Sequence, residues 1–264
     1  MSTVRQAAVA GLLYPDNAKQ LRSTVADHLN AAKAPVKALQ PKAIIVPHAG
    51  YHYSGAIAAA AYKTLQSAST SINNVVLLGA AHRQSLAGIA IVNVDAFSTP
   101  LGNVYLNQTH NQQLGELQPI CVSNAAHLLE HSLEVQLPFL QVVLSNFTIT
   151  PIIIGDTTHA EVAAILNRFW GDQDTLIVIS SDLNNHRDYR QANYIDRSTC
   201  EAIEALNIEA MDRQNLCHCV AVNSLLRVAQ KKNLQVETLA ISEPATNSPE
   251  LQGKRFASWA FYDA

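Results

Sequence analysis

The stretch Pro47-His48-Ala49-Gly50-Tyr51-His52-Tyr53-Ser54-Gly55 lies between the apolar run Ala43-Ile44-Ile45-Val46 and the alanine-rich run Ala56-Ile57-Ala58-Ala59-Ala60-Ala61-Tyr62. The apolar run is rich in β-branched residues, which predicts a buried strand. A proline ends that strand, two glycines permit a tight turn, and the small helix formers that follow predict a helix. The sequence therefore predicts a strand–turn–helix unit with His48 at the carboxyl end of its strand, where ligands bind in open α/β sheets.

The same arrangement recurs twice along the chain. Val75-Val76-Leu77-Leu78-Gly79-Ala80-Ala81-His82 predicts a second buried strand that delivers a histidine. Leu176-Ile177-Val178-Ile179-Ser180-Ser181-Asp182 predicts a third, and His186 follows it. A single histidine directly after a strand is more often a structural residue that caps a turn. Three strands that each end in His or Asp favour a functional site instead. We therefore expect these side chains to meet in one pocket at the edge of the sheet.

The remaining elements predict an α/β fold. Helices are predicted over about 18–32, 160–170, 195–211 and 217–231, and further strands over 90–94, 148–155, 235–242 and 255–262. Strands that alternate with helices predict a mixed central sheet with helices on both faces. Residues 97–102 are predicted as a turn-rich loop. Because no low-complexity linker or solenoid repeat is present, we predict one domain over residues 1–264.

The segment from His127 to Leu140 is predicted as a helix. Glu130 and Glu134 would then share one face of it, as would His127 and His131. Carboxylates and histidines on an otherwise apolar helix are costly to bury unless they are paired. We interpret Glu130 and His131 as pocket residues, with a structural ion pair as the alternative.

The composition excludes several classes of protein. A hydrophobic content of 48% with 15% charged residues indicates a compact globular chain. The net charge is −3 and no basic cluster is present, so the footprint of a nucleic-acid binder is missing. No apolar run approaches the roughly 20 residues that cross a bilayer, and the N-terminus lacks a signal-peptide core, so we expect a cytoplasmic protein without membrane contact. Cys217-His218-Cys219 fits no zinc-finger spacing, and we predict ordinary helix cysteines there.

Two histidines on neighbouring strand ends suit a metal ion, because neutral imidazole binds iron, copper and zinc. We predict His48 and His82 as ligands. Candidates for a third ligand are Asp182, Glu130 and Glu243, the last of which follows a predicted strand. Two histidines and a carboxylate form the usual non-haem Fe(II) face, so Fe(II) is the predicted cofactor, with Cu or Zn as alternatives.

The neighbouring residues are predicted to complete a reaction site around that metal. His186 is placed as a general acid/base, and Asp182 and His131 are further candidates for proton transfer. Tyr51, Tyr53 and Glu130 are candidate substrate-binding residues. The predicted ligand is a small molecule or a peptide held in a cleft.

Four segments carry a family resemblance. Residues 47–55 resemble the PHAGY.YSG signature of the Memo family, called AmmeMemoRadiSam system protein B in prokaryotes, and residues 77–82 resemble its LLGpsH segment. Residues 130–139 resemble its EHSiEvqlPfl helix and residues 180–186 its SSDlshy segment. The resemblance implies a fold shared with class III extradiol dioxygenases of the LigB type. It also implies that His48 and His82 occupy metal-ligand positions and that His186 occupies the position of the dioxygenases' catalytic histidine.

The resemblance leaves the activity open, since animal members are described both as signalling adaptors and as iron- or copper-binding redox proteins. Animal members also place a cysteine ligand after the penultimate strand, where this chain has Thr246. Either Glu243 completes the triad, or two histidines and solvent hold the metal. The first hypothesis is thus an Fe(II)-dependent oxidoreductase of dioxygenase type. The alternatives are a non-catalytic adaptor on the same fold and, ranked last, a zinc hydrolase.

Overall fold

The computed structural model describes residues 3–34, 37, 39–183, 189–211, 219–243 and 254–264, with the backbone alone described at 189–195 and 219. Its α-helices are α1 (Ala18–Ala31), α2 (Tyr51–Lys63), α3 (Gln108–Gly115), α4 (Asn124–Leu128), α5 (Leu137–Val143), α6 (His159–Phe169), α7 (Tyr189–Glu204) and α8 (Cys219–Lys232). Its strands are β1 (Val4–Arg5), β2 (Ala43–Val46), β3 (Asn74–Ala80), β4 (Ile89–Ile91), β5 (Ala96–Thr99), β6 (Gly102–Tyr105), β7 (Ile120–Val122), β8 (Thr148–Ile154), β9 (Thr175–Ser180), β10 (Gln235–Ile241) and β11 (Ala257–Tyr262).

Eight of the strands form one mixed sheet in the order β10-β11-β2-β9-β3-β8-β4-β7. The central strands β2, β9, β3 and β8 run parallel, whereas β11 pairs antiparallel with β2, and β4 antiparallel with β8. The predicted mixed α/β architecture is therefore confirmed. A smaller sheet, β1-β5-β6, includes residues 97–102, which were predicted as a loop and instead form a hairpin.

Helices cover both faces of the large sheet. Successive residues of a strand point to opposite faces, and β2 shows the consequence. Ile44 and Val46 belong to the core cluster that α1, α2 and α5 complete, whereas Ala43 and Ile45 belong to the cluster that α6, α7 and α8 complete. None of the helices in the described portions of the chain combines the length and apolarity needed to cross a membrane.

The carboxyl ends of three parallel strands meet at one edge of this sheet. His48 follows β2 by two residues, Asp182 follows β9 by two residues, and His82 follows β3 by two residues. The two histidine-bearing strands were predicted to be neighbours, but β9 lies between them and pairs with both. Asp182 therefore emerges between the two histidines along this edge.

The predicted helix from His127 to Leu140 is wrong in its first half. Helix α4 ends at Leu128, a 3-10 turn covers Glu134–Gln136, and α5 begins only at Leu137. The carboxylate of Glu130 accepts hydrogen bonds from the backbone N–H groups of the next two residues, which competes with helical pairing. Glu130 and Glu134 consequently do not share a helix face. We call residues 129–133, between α4 and the 3-10 turn, the site turn.

The second glycine of the opening stretch also has a different role from the one predicted. Gly55 lies inside α2, which already begins at Tyr51, and not in the turn before it. A Cβ atom at Gly55 would lie 2.6 Å from Nε2 of His28 on α1. Glycine at this position therefore permits close packing of the two helices. Cys217, His218 and Thr246 lie outside the described residues.

Candidate metal centre

Three histidines from three parts of the chain converge at the carboxyl edge of the sheet. One ring nitrogen of each of His48, His82 and His131 lies within 4.8 Å of the others. The ring centroids of His48 and His82 are 4.9 Å apart, and those of His82 and His131 are 4.7 Å apart. His48 is buried, while His82 and His131 keep part of their side chains exposed. The cluster is therefore reachable from solvent on one side. Among the described residues it is the group whose spacing could hold a metal ion.

The carboxylate of Glu130 orients the imidazole ring of His82 through hydrogen bonds. Its Oε1 accepts a hydrogen bond from Nδ1 of His82 at 2.9 Å, and its Oε2 accepts one from the backbone N–H of the same residue at 2.7 Å. Because Nδ1 is the donor in this pair, Nε2 is the nitrogen that can act as a ligand. A carboxylate behind a metal-binding histidine is a common arrangement that fixes the ring and raises its basicity.

The same carboxylate also faces His131. Oε1 of Glu130 lies 3.2 Å from Nδ1 of His131, and it accepts the backbone N–H groups of His131 and Ser132 at 2.9 Å each. Burial raises the pKa of Glu130, but the contacts with His131, His82 and the backbone outweigh it and hold the pKa well below its usual value. Glu130 is therefore ionised and supplies a negative charge behind two of the three imidazoles.

His48 has a different environment. Its Nδ1 lies 3.2 Å from Oγ of Ser180, at the end of β9. Asp182 accepts the backbone N–H of His48 at 2.9 Å through Oδ1, and its Oδ2 lies 3.8 Å from Nε2 of the ring. Burial lowers the pKa of His48 to about 4, although the nearby Asp182 acts in the opposite direction. His48 is therefore a neutral imidazole at physiological pH, which is the form that binds metals.

The site turn is held in place by a buried arginine. Arg5, on β1, donates to the backbone carbonyl of His127 at 3.1 Å and to that of Glu130 at 2.7 Å, and it forms an ion pair with Glu134. Glu134 in turn accepts the hydroxyl of Tyr14 at 2.5 Å. The sequence analysis gave a structural ion pair as the alternative role of Glu130 and His131, whereas the ion pair with Arg5 is formed by Glu134.

The donor set fits a transition metal. All three candidate ligands are imidazoles, which suit zinc, copper, iron and nickel, and one ring nitrogen of each lies within 4.8 Å of the others. Three nitrogen ligands on one side leave further coordination positions open. The group whose spacing could hold an ion consists of three histidines and not of the predicted two histidines and a carboxylate, and the carboxylate of Glu130 instead accepts a hydrogen bond from Nδ1 of His82.

The other predicted site residues lie in different surroundings. Glu243 is exposed after β10 and does not belong to the histidine cluster. Tyr51 is buried, and its hydroxyl donates to the carbonyl of Val135 at 2.6 Å, while Tyr53 is exposed on α2. The predicted acid/base residue His186 lies outside the described residues.

Sequence reasoning missed two features of this centre. His131 was predicted as a pocket residue and not as a ligand, because a helix was predicted where the chain forms the site turn. Ser180 was read only as part of a strand, although it directly precedes Ser181 and Asp182 at a strand end. A polar residue that closes an apolar strand beside a predicted site is the signal that could have identified it.

The fold and the site together define a mixed α/β protein with a three-histidine candidate metal centre at the carboxyl edge of its sheet. Residues 5–239 match the family model described as Memo-like protein. The chain therefore belongs to the Memo-like family, and the predicted family resemblance is confirmed.

Relatives and a solved structure agree with this placement. The chain is 35% identical over 259 residues to a MEMO1 family protein of Aquifex aeolicus, covering 95% of this chain and 94% of that one. It is 32% identical over 236 residues to a MEMO1 family protein of Methanobrevibacter smithii, covering 82% and 83%. An uncharacterized protein of Escherichia coli K12 superimposes with a TM-score of 0.55 at 12% identity, covering 82% of this chain and 98% of that one, which shows a shared fold.

Proposed function

We propose that this protein binds a divalent transition metal through His48, His82 and His131 and acts as a non-haem metal-dependent oxidoreductase of dioxygenase type, with Fe(II) as the metal. The observation that carries the proposal is the convergence of three imidazole nitrogens within 4.8 Å. Imidazole ligands with open positions beside them suit Fe(II) and also Cu or Zn. The dioxygenase-like fold implied by the family resemblance supports redox chemistry over hydrolysis.

Each residue of the centre has a separate task in this proposal. The three histidines would hold the metal, which would supply Lewis-acid and redox chemistry toward a small phenolic substrate. Glu130 orients His82, and its negative charge offsets part of the charge of a bound cation. Asp182 would accept or return a proton, and its Oδ2, 3.8 Å from Nε2 of His48, supports this role. We assign the same role to His186 from the sequence alone.

A non-catalytic adaptor is the second candidate. It is favoured by two adjacent exposed apolar side chains where α4 ends and the site turn begins, since Leu128 and Leu129 are 58% and 60% exposed. Contiguous apolar side chains on a surface mark sites of contact with other proteins or peptides. In that case the metal centre would stabilise the surface and would not support turnover.

Metal binding is tested by calorimetric titration of chelator-treated protein with Fe²⁺ under anaerobic conditions and with Zn²⁺. We expect one ion per chain, with binding lost in His48→Ala, His82→Ala and His131→Ala. His110→Ala is the matched control, because His110 is buried but lies outside the cluster. Glu243→Ala should leave the affinity unchanged. Loss of binding in Glu243→Ala together with retention in His131→Ala would reassign the third ligand.

Turnover is tested by oxygen consumption of the Fe²⁺-loaded protein with catechol-like substrates. The oxidoreductase proposal expects consumption in the wild type and none in His82→Ala. Stoichiometric metal binding without oxygen uptake across such a panel would favour the adaptor. Absence of metal binding in the wild type would remove both the metal centre and the redox proposal.

A further inference from the structure

The hydroxyl of Ser180 contacts three groups at once. Its Oγ lies 2.7 Å from the carbonyl oxygen of Ser132, 2.9 Å from Nε2 of Gln136 and 3.2 Å from Nδ1 of His48. Ser180 is fully buried, so these contacts are made away from water. A serine hydroxyl offers one proton and two lone pairs, which matches three contacts only in one arrangement of donors and acceptors.

The direction of the first contact is fixed by the backbone. A carbonyl oxygen only accepts, so the single hydroxyl proton of Ser180 is donated to Ser132. Both lone pairs of Oγ therefore have to accept hydrogen bonds from the other two neighbours.

The direction of the second contact is fixed by the surroundings of Gln136. The carbonyl oxygen of Pro47, 3.0 Å from Nε2 of Gln136, accepts only, and the hydroxyl of Tyr62 donates to Oε1 at 2.8 Å. These two contacts fix the orientation of the Gln136 side-chain amide, because one requires a donor and the other an acceptor. Nε2 therefore donates its second hydrogen to Oγ of Ser180. One lone pair of Oγ remains, and it faces Nδ1 of His48.

We propose that Ser180 is a positioning residue for the metal centre, which holds His48 as the tautomer protonated on Nδ1 and thereby assigns Nε2 as its ligand atom. His48 then matches His82, whose Nδ1 donates to Glu130. One ring is held by a neutral hydroxyl and the other by a carboxylate. The effect on metal affinity rests on the proposed function, whereas the tautomer of His48 does not.

The tautomer is measured on metal-free protein labelled with ¹⁵N in its histidine side chains. The chain has ten histidines, so the signals of residue 48 are identified by their absence in His48→Asn. We expect Nδ1 protonation in the wild type and a shift toward Nε2 protonation in Ser180→Ala. Ser180→Thr, which keeps a hydroxyl, should restore the wild-type tautomer. Nε2 protonation of His48 in the wild type would overturn the inference, even if Ser180→Ala did not fold.

The consequence for metal binding is measured by titration of the same variants with Zn²⁺. Outer partners of ligand histidines typically contribute about 10–100-fold in affinity, and we expect a loss of this size in Ser180→Ala with recovery in Ser180→Thr. Ser258→Ala is the matched control, because Ser258 is equally buried, lies on β11 beside β2, and donates its hydroxyl to the carbonyl of Ile57 and not to a histidine of the cluster.

The possible outcomes separate the two proposals. An equal loss of affinity in Ser180→Ala and Ser258→Ala would show a general packing effect and overturn the positioning role. Absence of Zn²⁺ and Fe²⁺ binding in the wild type would overturn the proposed function. The tautomer measurement alone would then show whether Ser180 positions the ring of His48.

Discussion

At the scale of single residues, the ability of the centre to bind a cation depends on the protonation states of its side chains. Burial keeps His48 neutral, contacts with N–H groups keep Glu130 ionised, and both states favour a bound cation. The same physics acts on a histidine outside the cluster. His127 is buried, its Nε2 lies 3.2 Å from the carbonyl of Ala90, and burial lowers its pKa to about 4.

His127 should therefore make the fold sensitive to acid. Its folded-state pKa lies below the usual value of 6.5, so the unfolded chain binds the proton more readily and stability is lost as the pH falls from about 6.5 to 4. A shift of this size corresponds to about 3 kcal/mol. In urea unfolding of metal-free protein at pH 7 and pH 4.5, we expect His127→Gln to lose less stability than the wild type.

The exposed His52 on α2 provides the control for this experiment. His52→Gln should retain the pH dependence of the wild type. If His127→Gln and His52→Gln both followed the wild-type curve, the buried imidazole would not be a source of acid sensitivity. His48, His28 and His110, whose pKa values are also lowered by burial, would contribute to the remaining slope.

At the scale of elements, the site turn packs directly against a central strand. Gly79 on β3 faces it, and a Cβ atom at this position would lie 2.5 Å from Oγ of Ser132 and 2.7 Å from Cδ2 of Leu133. Glycine thus allows the turn that carries Glu130 and His131 to approach the strand that delivers His82. The separation between this strand and the site turn therefore sets the distance between His82 and His131.

Gly79→Ala is expected to displace the site turn. Overpacking of this kind typically costs about 1–3 kcal/mol, and the resulting shift of His131 should also weaken Zn²⁺ binding. Gly171→Ala is the matched control, because nothing lies within 4 Å of a Cβ atom there. Thermal unfolding and Zn²⁺ titration of both variants check this. A Gly79→Ala protein with wild-type stability and affinity would contradict the close approach.

The same elements show what the sequence could and could not predict. The ends of β2, β3 and β9 were predictable, because uniform apolar runs followed by a polar residue indicate buried parallel strands and their carboxyl edge. The site turn was not, because helical periodicity does not register the hydrogen bonds between the Glu130 carboxylate and the following backbone N–H groups. His131 was consequently missed as a ligand candidate.

At the scale of the whole molecule, the three candidate ligands come from distant parts of the sequence. His48 and His82 follow strands separated by β9, and His131 lies on the site turn, which Arg5 at the start of the chain holds through two backbone carbonyls. Sequence patterns predicted β2, β3 and β9 but not their order, since that order depends on long-range pairing. The cluster exists only when all three segments have reached their native positions.

Metal binding should therefore stabilise the entire fold. An ion that binds the native chain and not the unfolded one adds about 2.7 kcal/mol at a free concentration 100 times its dissociation constant. For a domain of this size that corresponds to a rise of about 5–10 °C in melting temperature. We expect this rise when Zn²⁺ is added to chelator-treated protein, and its reversal by excess chelator. Mg²⁺, which prefers oxygen ligands, should produce no rise.

The variant His48→Ala/His82→Ala/His131→Ala distinguishes this coupling from surface binding of metal. Its melting temperature should not respond to Zn²⁺ over the range in which the wild type does, because the nitrogens that join the three segments are gone. An equal response of both proteins would place the stabilising ion elsewhere. A wild type that binds one Zn²⁺ without any change in melting temperature would mean that the unfolded chain binds the ion as tightly, and that three segments do not have to be assembled to hold it.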